Sequence, residues 1–136
     1  MRATVVAFAA GIALSGWGAP VASASPTTVT PPEMPDAEGV VFKDNPSIVD
    51  PRPMPIESWS RVGSDRAVAV HFTTGTPACN GVHAAVWETA DAVTIDLSGG
   101  SLPRSAGRMC IMLALTGTLE VPLQSPLGDR QVLSVA

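Results

Sequence analysis

Two cysteines, Cys79 and Cys110, constrain this 136-residue chain more than any other feature. What they do depends on where the chain lives. In an exported protein a lone pair of cysteines is a disulfide, whereas in a reducing compartment it is two small buried residues. The chain opens like an exported protein. Met1-Arg2 is a minimal positive start, and Ala3 to Leu14 is apolar apart from Thr4 and Gly11. Ser15 to Pro20 would end a helical stretch, and Ala22-Ser23-Ala24 is an A-x-A cleavage pattern. These signals predict a secretory signal peptide over residues 1–24, cut between Ala24 and Ser25. The apolar run falls short of the roughly 20 residues that span a bilayer. No cysteine stands at the cleavage position to carry a lipid, and no twin-arginine pair precedes the run. No later stretch is long and apolar enough to span.

Export makes a Cys79–Cys110 disulfide the expected state. It would close a loop of about 30 residues, worth roughly 3–4 kcal/mol in the chain-entropy model. A contribution of that size matters in a small domain with a limited core. The sequence has no Cys-x-x-Cys pair to depress a thiol pKa, so redox chemistry is not expected.

Residues 25–57 differ in composition from the rest. They hold Pro26, Pro31, Pro32, Pro35, Pro46, Pro51, Pro53 and Pro55, and six acids against two bases. Proline removes backbone donors and fixes φ, so this stretch is expected to be an extended, acidic linker. Val40, Val41, Phe42 and Ile48 are its candidates for packing onto a domain.

From residue 58 onward the pattern is that of strands. Ala67 to Thr73 alternates, with Val68, Val70 and Phe72 opposed to Ala69, His71 and Thr73. Asn80-Gly81 is a tight-turn dipeptide. Val82–Thr89 and Ala92–Leu97 alternate again and are predicted to form a hairpin, ended by Ser98-Gly99-Gly100-Ser101. Arg108 to Leu115 is a continuous apolar run that periodicity cannot assign between helix and strand; its neighbours favour a buried central strand. Pro122 predicts that Thr118–Leu123 is an edge strand or carries a bulge. Arg130–Val135 closes the chain. The expected fold is all-β: a small antiparallel β-sandwich or partly open barrel with one disulfide, preceded by a proline-rich extended segment. The expected organisation is a signal peptide over 1–24, a linker over 25–57 and a β domain over 58–136.

The residues that could carry chemistry are few. His71 and His83 both fall on the face opposite the valines. Paired strands would bring the rings together, and with Glu88, Asp91 or Asp96 they could hold zinc or copper. A spacing of twelve matches no zinc motif, however, so neither a metal nor a cofactor is expected. No Gly-x-Ser-x-Gly elbow and no phosphate-binding glycine loop is present. Charge over 58–136 is nearly balanced, with no basic stripe, which argues against a nucleic-acid partner. Pro126-Leu127-Gly128-Asp129-Arg130 has the composition of a turn. Gly128, Asp129 and Arg130 are its candidate recognition residues, with Arg130 able to fork onto Asp129 or Glu120.

The order Cys79, Gly81-Val82, Glu88-Thr89, Val93-Thr94, a glycine-rich turn, Cys110, Val121-Pro122-Leu123 and Pro126-Leu127-Gly128-Asp129-Arg130 carries a resemblance. It is similar to a domain of unknown function in small secreted proteins and lipoproteins of actinobacteria. The resemblance covers roughly residues 58–136. It implies an exported, disulfide-bonded, mostly β domain on or outside the envelope, and it brings no catalytic residues. The lipoprotein members carry a lipid-bearing cysteine that this chain lacks. The functional expectation is a secreted, non-enzymatic binding domain whose partner is a cell-envelope component or another secreted protein. The alternative is a small metal-dependent or hydrolytic enzyme using His71 and His83.

Overall fold

A computed structural model describes residues 18–20 and 26–136. All regular structure among them is β. Nine strands form two curled sheets: β1 (Thr28–Val29), β2 (Val40–Phe42), β3 (Val49–Pro53), β4 (Ser58–Arg61), β5 (Ala67–Thr74), β6 (Asn80–Glu88), β7 (Ala92–Ser101), β8 (Leu115–Pro122) and β9 (Gln131–Val135).

The first sheet is built around β7. The β6–β7 hairpin is in register from Asn80↔Ser101 to Glu88↔Val93. Its turn is held by Thr89, whose backbone N–H donates to the Ala92 carbonyl at 2.9 Å. Along the other edge of β7, β9 runs parallel beside Ala92–Ile95 and β3 runs antiparallel beside its distal half. β1 adds to β9. The second sheet has the order β2-β8-β5-β4.

The alternation along the strands sets the core. Val68, Val70 and Phe72 of β5 and Leu119 and Val121 of β8 pack against Val82 of β6 and Val93, Ile95 and Leu97 of β7. Period-two side chains on two facing sheets give one dry layer, and each fully buried Val, Leu or Phe is worth roughly 1.5–3 kcal/mol. Trp59 of β4 and Val132 of β9 close the layer. Phe42 meets Phe72 edge-on, with ring centroids 5.6 Å apart. That approach needs Gly117 between them, where a Cβ would lie 2.5 Å from the Phe72 ring.

The fold corrects several sequence expectations. The proline-rich stretch is no linker: it supplies β1, β2 and β3, and buries Phe42, Ile48 and Ile56. The domain therefore does not begin at residue 58. Of the eight prolines in that stretch only Pro51 and Pro53 lie on a strand, the rim strand β3, and the rest fall between strands. The sheets are mixed, since β2–β8 and β7–β9 are parallel. Asn80-Gly81 starts β6 instead of making a turn. Ser98 to Ser101 extends β7 because glycine lets β3 and its flanks come close; a Cβ on Gly100 would lie 2.6 Å from the Val49 carbonyl oxygen. β8 is an interior strand, and Pro122 is tolerated as its last residue, beyond the reach of β2.

The largest correction concerns residues 108–114, which are neither buried nor a strand. Turns run from Leu102 to Arg108, with Gly107 at φ 74°. The chain then crosses open solvent and joins the sheet at Leu115, which faces Thr74, the last residue of β5. Beyond Thr74 there is no strand for residues 109–114 to pair with. A backbone without a ladder partner stays in water, whatever the side chains prefer.

The disulfide expected from the sequence is present: Cys79 is bonded to Cys110 with Cα atoms 6.4 Å apart. It joins the β5–β6 connection to the loop that feeds β8, and so links the two sheets. The unreduced, unfolded protein should show no free thiol in a thiol-titration assay. Reduction should lower the unfolding free energy by about 3–4 kcal/mol, measured as a shift in the urea midpoint with and without reductant.

Candidate functional site

The histidines are not brought together. His71 lies on β5 in the second sheet and His83 on β6 in the first. His71 is only 3% exposed, and its Nε2 is 2.9 Å from the Oγ of Ser60, itself buried. Its Nδ1 is buried and has no partner among the described residues. This is a serine–histidine contact without a carboxylate to orient the ring and without access for a substrate, so it lacks the parts of a hydrolytic triad. His83 is half-exposed, and its Nδ1 donates to Asp44 Oδ1 at 2.9 Å. The same oxygen accepts the Ala84 N–H at 2.8 Å. Asp44 thus caps the free edge of β6. Among the described residues no group of three His, Cys, Asp or Glu side chains could hold a metal ion.

The turn at Pro126–Arg130 is built for structure. Gly128 has φ 54°, and its carbonyl accepts Arg61 Nη2 at 3.2 Å. Asp129 is exposed. Arg130 reaches neither Asp129 nor Glu120. Its Nη2 donates to the carbonyls of Ser125 and Pro126, both at 2.8 Å, and to Glu88 Oε1 at 3.1 Å. Its Nη1 and Nε donate to the carbonyls of Thr89 and Leu127, each at 3.3 Å. The Arg130 and Glu88 side chains are 11% and 15% exposed. The Gln124 N–H, the Ser125 N–H and Arg130 hold the Glu88 carboxyl below its ordinary range, against the opposing effect of burial. Arg130 therefore ties the closing turn to the β6–β7 hairpin and is not free to recognise anything. The cleavage position Ala24–Ser25 lies outside the described residues.

The feature that stands out lies at the opposite end of β6. Met109, Ile111, Met112 and Leu113 are 101%, 76%, 99% and 51% exposed. Soluble surfaces carry scattered apolar side chains, but a run of them at a loop tip marks a contact surface. The run is held at both ends, by the disulfide at Cys110 and by the sheet at Leu115. Ser105 steadies the turns before it by donating to the Cys79 carbonyl at 2.8 Å. The loop arches over an open concavity of about 600 Å³, lined on one side by Ile111, Met112 and Leu113 and on the other by Thr73, Thr74 and Asn80. Two further concavities adjoin it at Asn80, one bordered by Arg52, the other by Lys43 and Arg104. The sequence did not reveal this surface, because a buried strand and an exposed apolar loop have the same composition.

No protein-family model, no curated protein and no solved structure matches this chain.

Two outcomes follow for the polar groups. Arg130→Ala should destabilise the fold by about 3 kcal/mol in urea unfolding, because it strands the shielded Glu88 carboxylate. Burial holds the His71 pKa below its ordinary 6.5. The unfolded chain therefore takes up a proton that the folded state resists, so stability is complete above that value and falls as pH drops through it. His71→Leu should flatten the pH dependence of the unfolding midpoint between pH 7 and 5.

Proposed function

We propose that this chain is a secreted, non-enzymatic binding domain that acts at or outside the cell envelope, with the stapled loop 104–114 as its contact surface. The observation that carries this reading is the apolar run Met109–Leu113, held open to solvent on a rigid all-β frame. Pre-ordering a loop reduces the entropy lost when it binds, so two anchors a few residues apart favour recognition. The export reading of residues 1–24 and the resemblance to actinobacterial secreted proteins support the location, and the disulfide is compatible with an extracellular site. The Ser60–His71 contact is sealed from solvent and the histidines stand on separate sheets, which leaves the enzymatic alternative without a support.

The test is co-sedimentation of the mature, oxidised chain with purified cell envelopes from an actinobacterium. Saturable pelleting that Met112→Asp abolishes is the expected result. Unchanged pelleting of the variant would move the contact surface elsewhere on the domain. Absence of pelleting by the parent chain would remove the envelope reading altogether.

A further inference from the structure

The cations among the described residues fall into two groups. Arg61, Arg66 and Arg130 are taken up by protein oxygens around the closing turn: Glu33 and Gly128 for Arg61, Gln124 for Arg66, Glu88 and four carbonyls for Arg130. Lys43, Arg52, Arg104 and Arg108 lie at the other end, around the stapled loop. They are exposed, and among the described residues they make no ion pair or side-chain hydrogen bond. Not one acid occurs between Asp96 and Glu120, although the chain as a whole has a net charge of −4. Three acids share the loop end: Asp44 accepts from His83 and the Ala84 N–H, Glu57 accepts from Thr73 Oγ1 at 3.0 Å, and exposed Asp50 borders one concavity together with Arg52. Among the described residues, the cations that meet no protein oxygen thus gather at one end of this acidic protein, around its most exposed apolar side chains.

We infer that loop 104–114 docks on the surface of an anionic lipid bilayer, with Met109, Ile111, Met112 and Leu113 entering the interface and Lys43, Arg52, Arg104 and Arg108 meeting the headgroups. This deepens the proposed envelope-binding function and rests on that reading. Apolar area and attraction of basic side chains to anionic lipid are the two contributions that hold peripheral proteins on membranes, and both occur here in one patch. Met109 and Met112 project almost fully into solvent, so they suit a fluid partner that closes around them. Methionine, unbranched and flexible, adapts to such surroundings. The acidic remainder of the molecule is repelled by the same surface, which orients the protein with the loop towards the bilayer.

The experiment is sedimentation of the mature, oxidised chain with vesicles, either phosphatidylcholine alone or phosphatidylcholine with phosphatidylglycerol. Binding to the anionic vesicles only, weakened by added salt, is the expected result. Arg104→Ala with Arg108→Ala should weaken it about thirty-fold, on the scale of two basic side chains at an anionic surface. Ile111→Ser with Met112→Ser should weaken it by about ten-fold or more. All four positions are exposed, so unchanged thermal unfolding of these variants will separate lost docking from lost folding. Mild peroxide should oxidise Met109 and Met112 before the half-buried Met54 and reduce vesicle binding in parallel. Equal binding to both vesicle types, or to neither, overturns the lipid assignment. If the chain ignores vesicles yet still pellets with delipidated envelopes, the partner is a protein or glycan: the lipid inference fails and the proposed function stands. If it pellets with neither, both fail.

Discussion

A single covalent bond decides how this chain can close. The chain passes between the two sheets six times, and the Cys79–Cys110 disulfide joins two of those passages, the β5–β6 link and the long stretch from β7 to β8. Without it, residues 102–114 would be tied by the Leu102 N–H and Ser105 hydroxyl on the Cys79 carbonyl, by the turns around Ser105 and by the first pair of the β5–β8 ladder. The cross-link removes open conformations from the unfolded chain and fixes where the loop leaves the sheet. An apolar run can then sit in solvent without collapsing onto the core, since both its ends are held apart.

The domain has two ends of different chemistry. At the closing turn, charged groups are paired and shielded. Arg130 satisfies a run of carbonyls that would otherwise face a poorly solvated corner, and Glu88 takes the N–H groups of Gln124 and Ser125 as well as the guanidinium. Such a network stabilises only when every member has a partner, and here the chain supplies them. At the stapled end, cations stand unpaired beside apolar side chains. Surface side chains in that arrangement add little to folding. The two ends lie about 25 Å apart along β6, whose nine residues rise roughly 3.3 Å each. The charged groups are thus satisfied at one end and left to solvent at the other.

The two histidines show how little a residue type says without its surroundings. Alternation puts both on the face opposite the valines of their strands. His71 is nonetheless buried, because its strand lies between β4 and β8 and a neighbouring serine covers Nε2. His83 lies near the edge of its sheet and meets Asp44 from the segment that crosses that edge. Neither position in the sheet could be read from spacing, so the metal and hydrolase readings could not be decided at that level.

Local pattern by itself determined the β class, the strands near 67–73, 82–89 and 92–97, their hairpin, and the inward set Val68, Val70, Phe72, Val93, Ile95 and Leu97. Cysteine count, read with the expectation of export, pointed to the disulfide. Those features depend on side-chain alternation, and alternation is written in neighbouring residues. Tertiary structure decided what needs a distant partner. Proline-rich residues 28–53 became strands because β7, β8 and β9 offered them edges. Glycines 99 and 100 continued a strand because β3 pairs with this end of β7 and brings Val49 and the adjoining Met54 against them. The apolar run at 109–114, the best candidate for a buried strand by composition, is in solvent because β5 ends at Thr74 and no other strand is left to pair with it. A strand is completed by hydrogen bonds to a neighbour, and no property of the run itself says whether that neighbour exists.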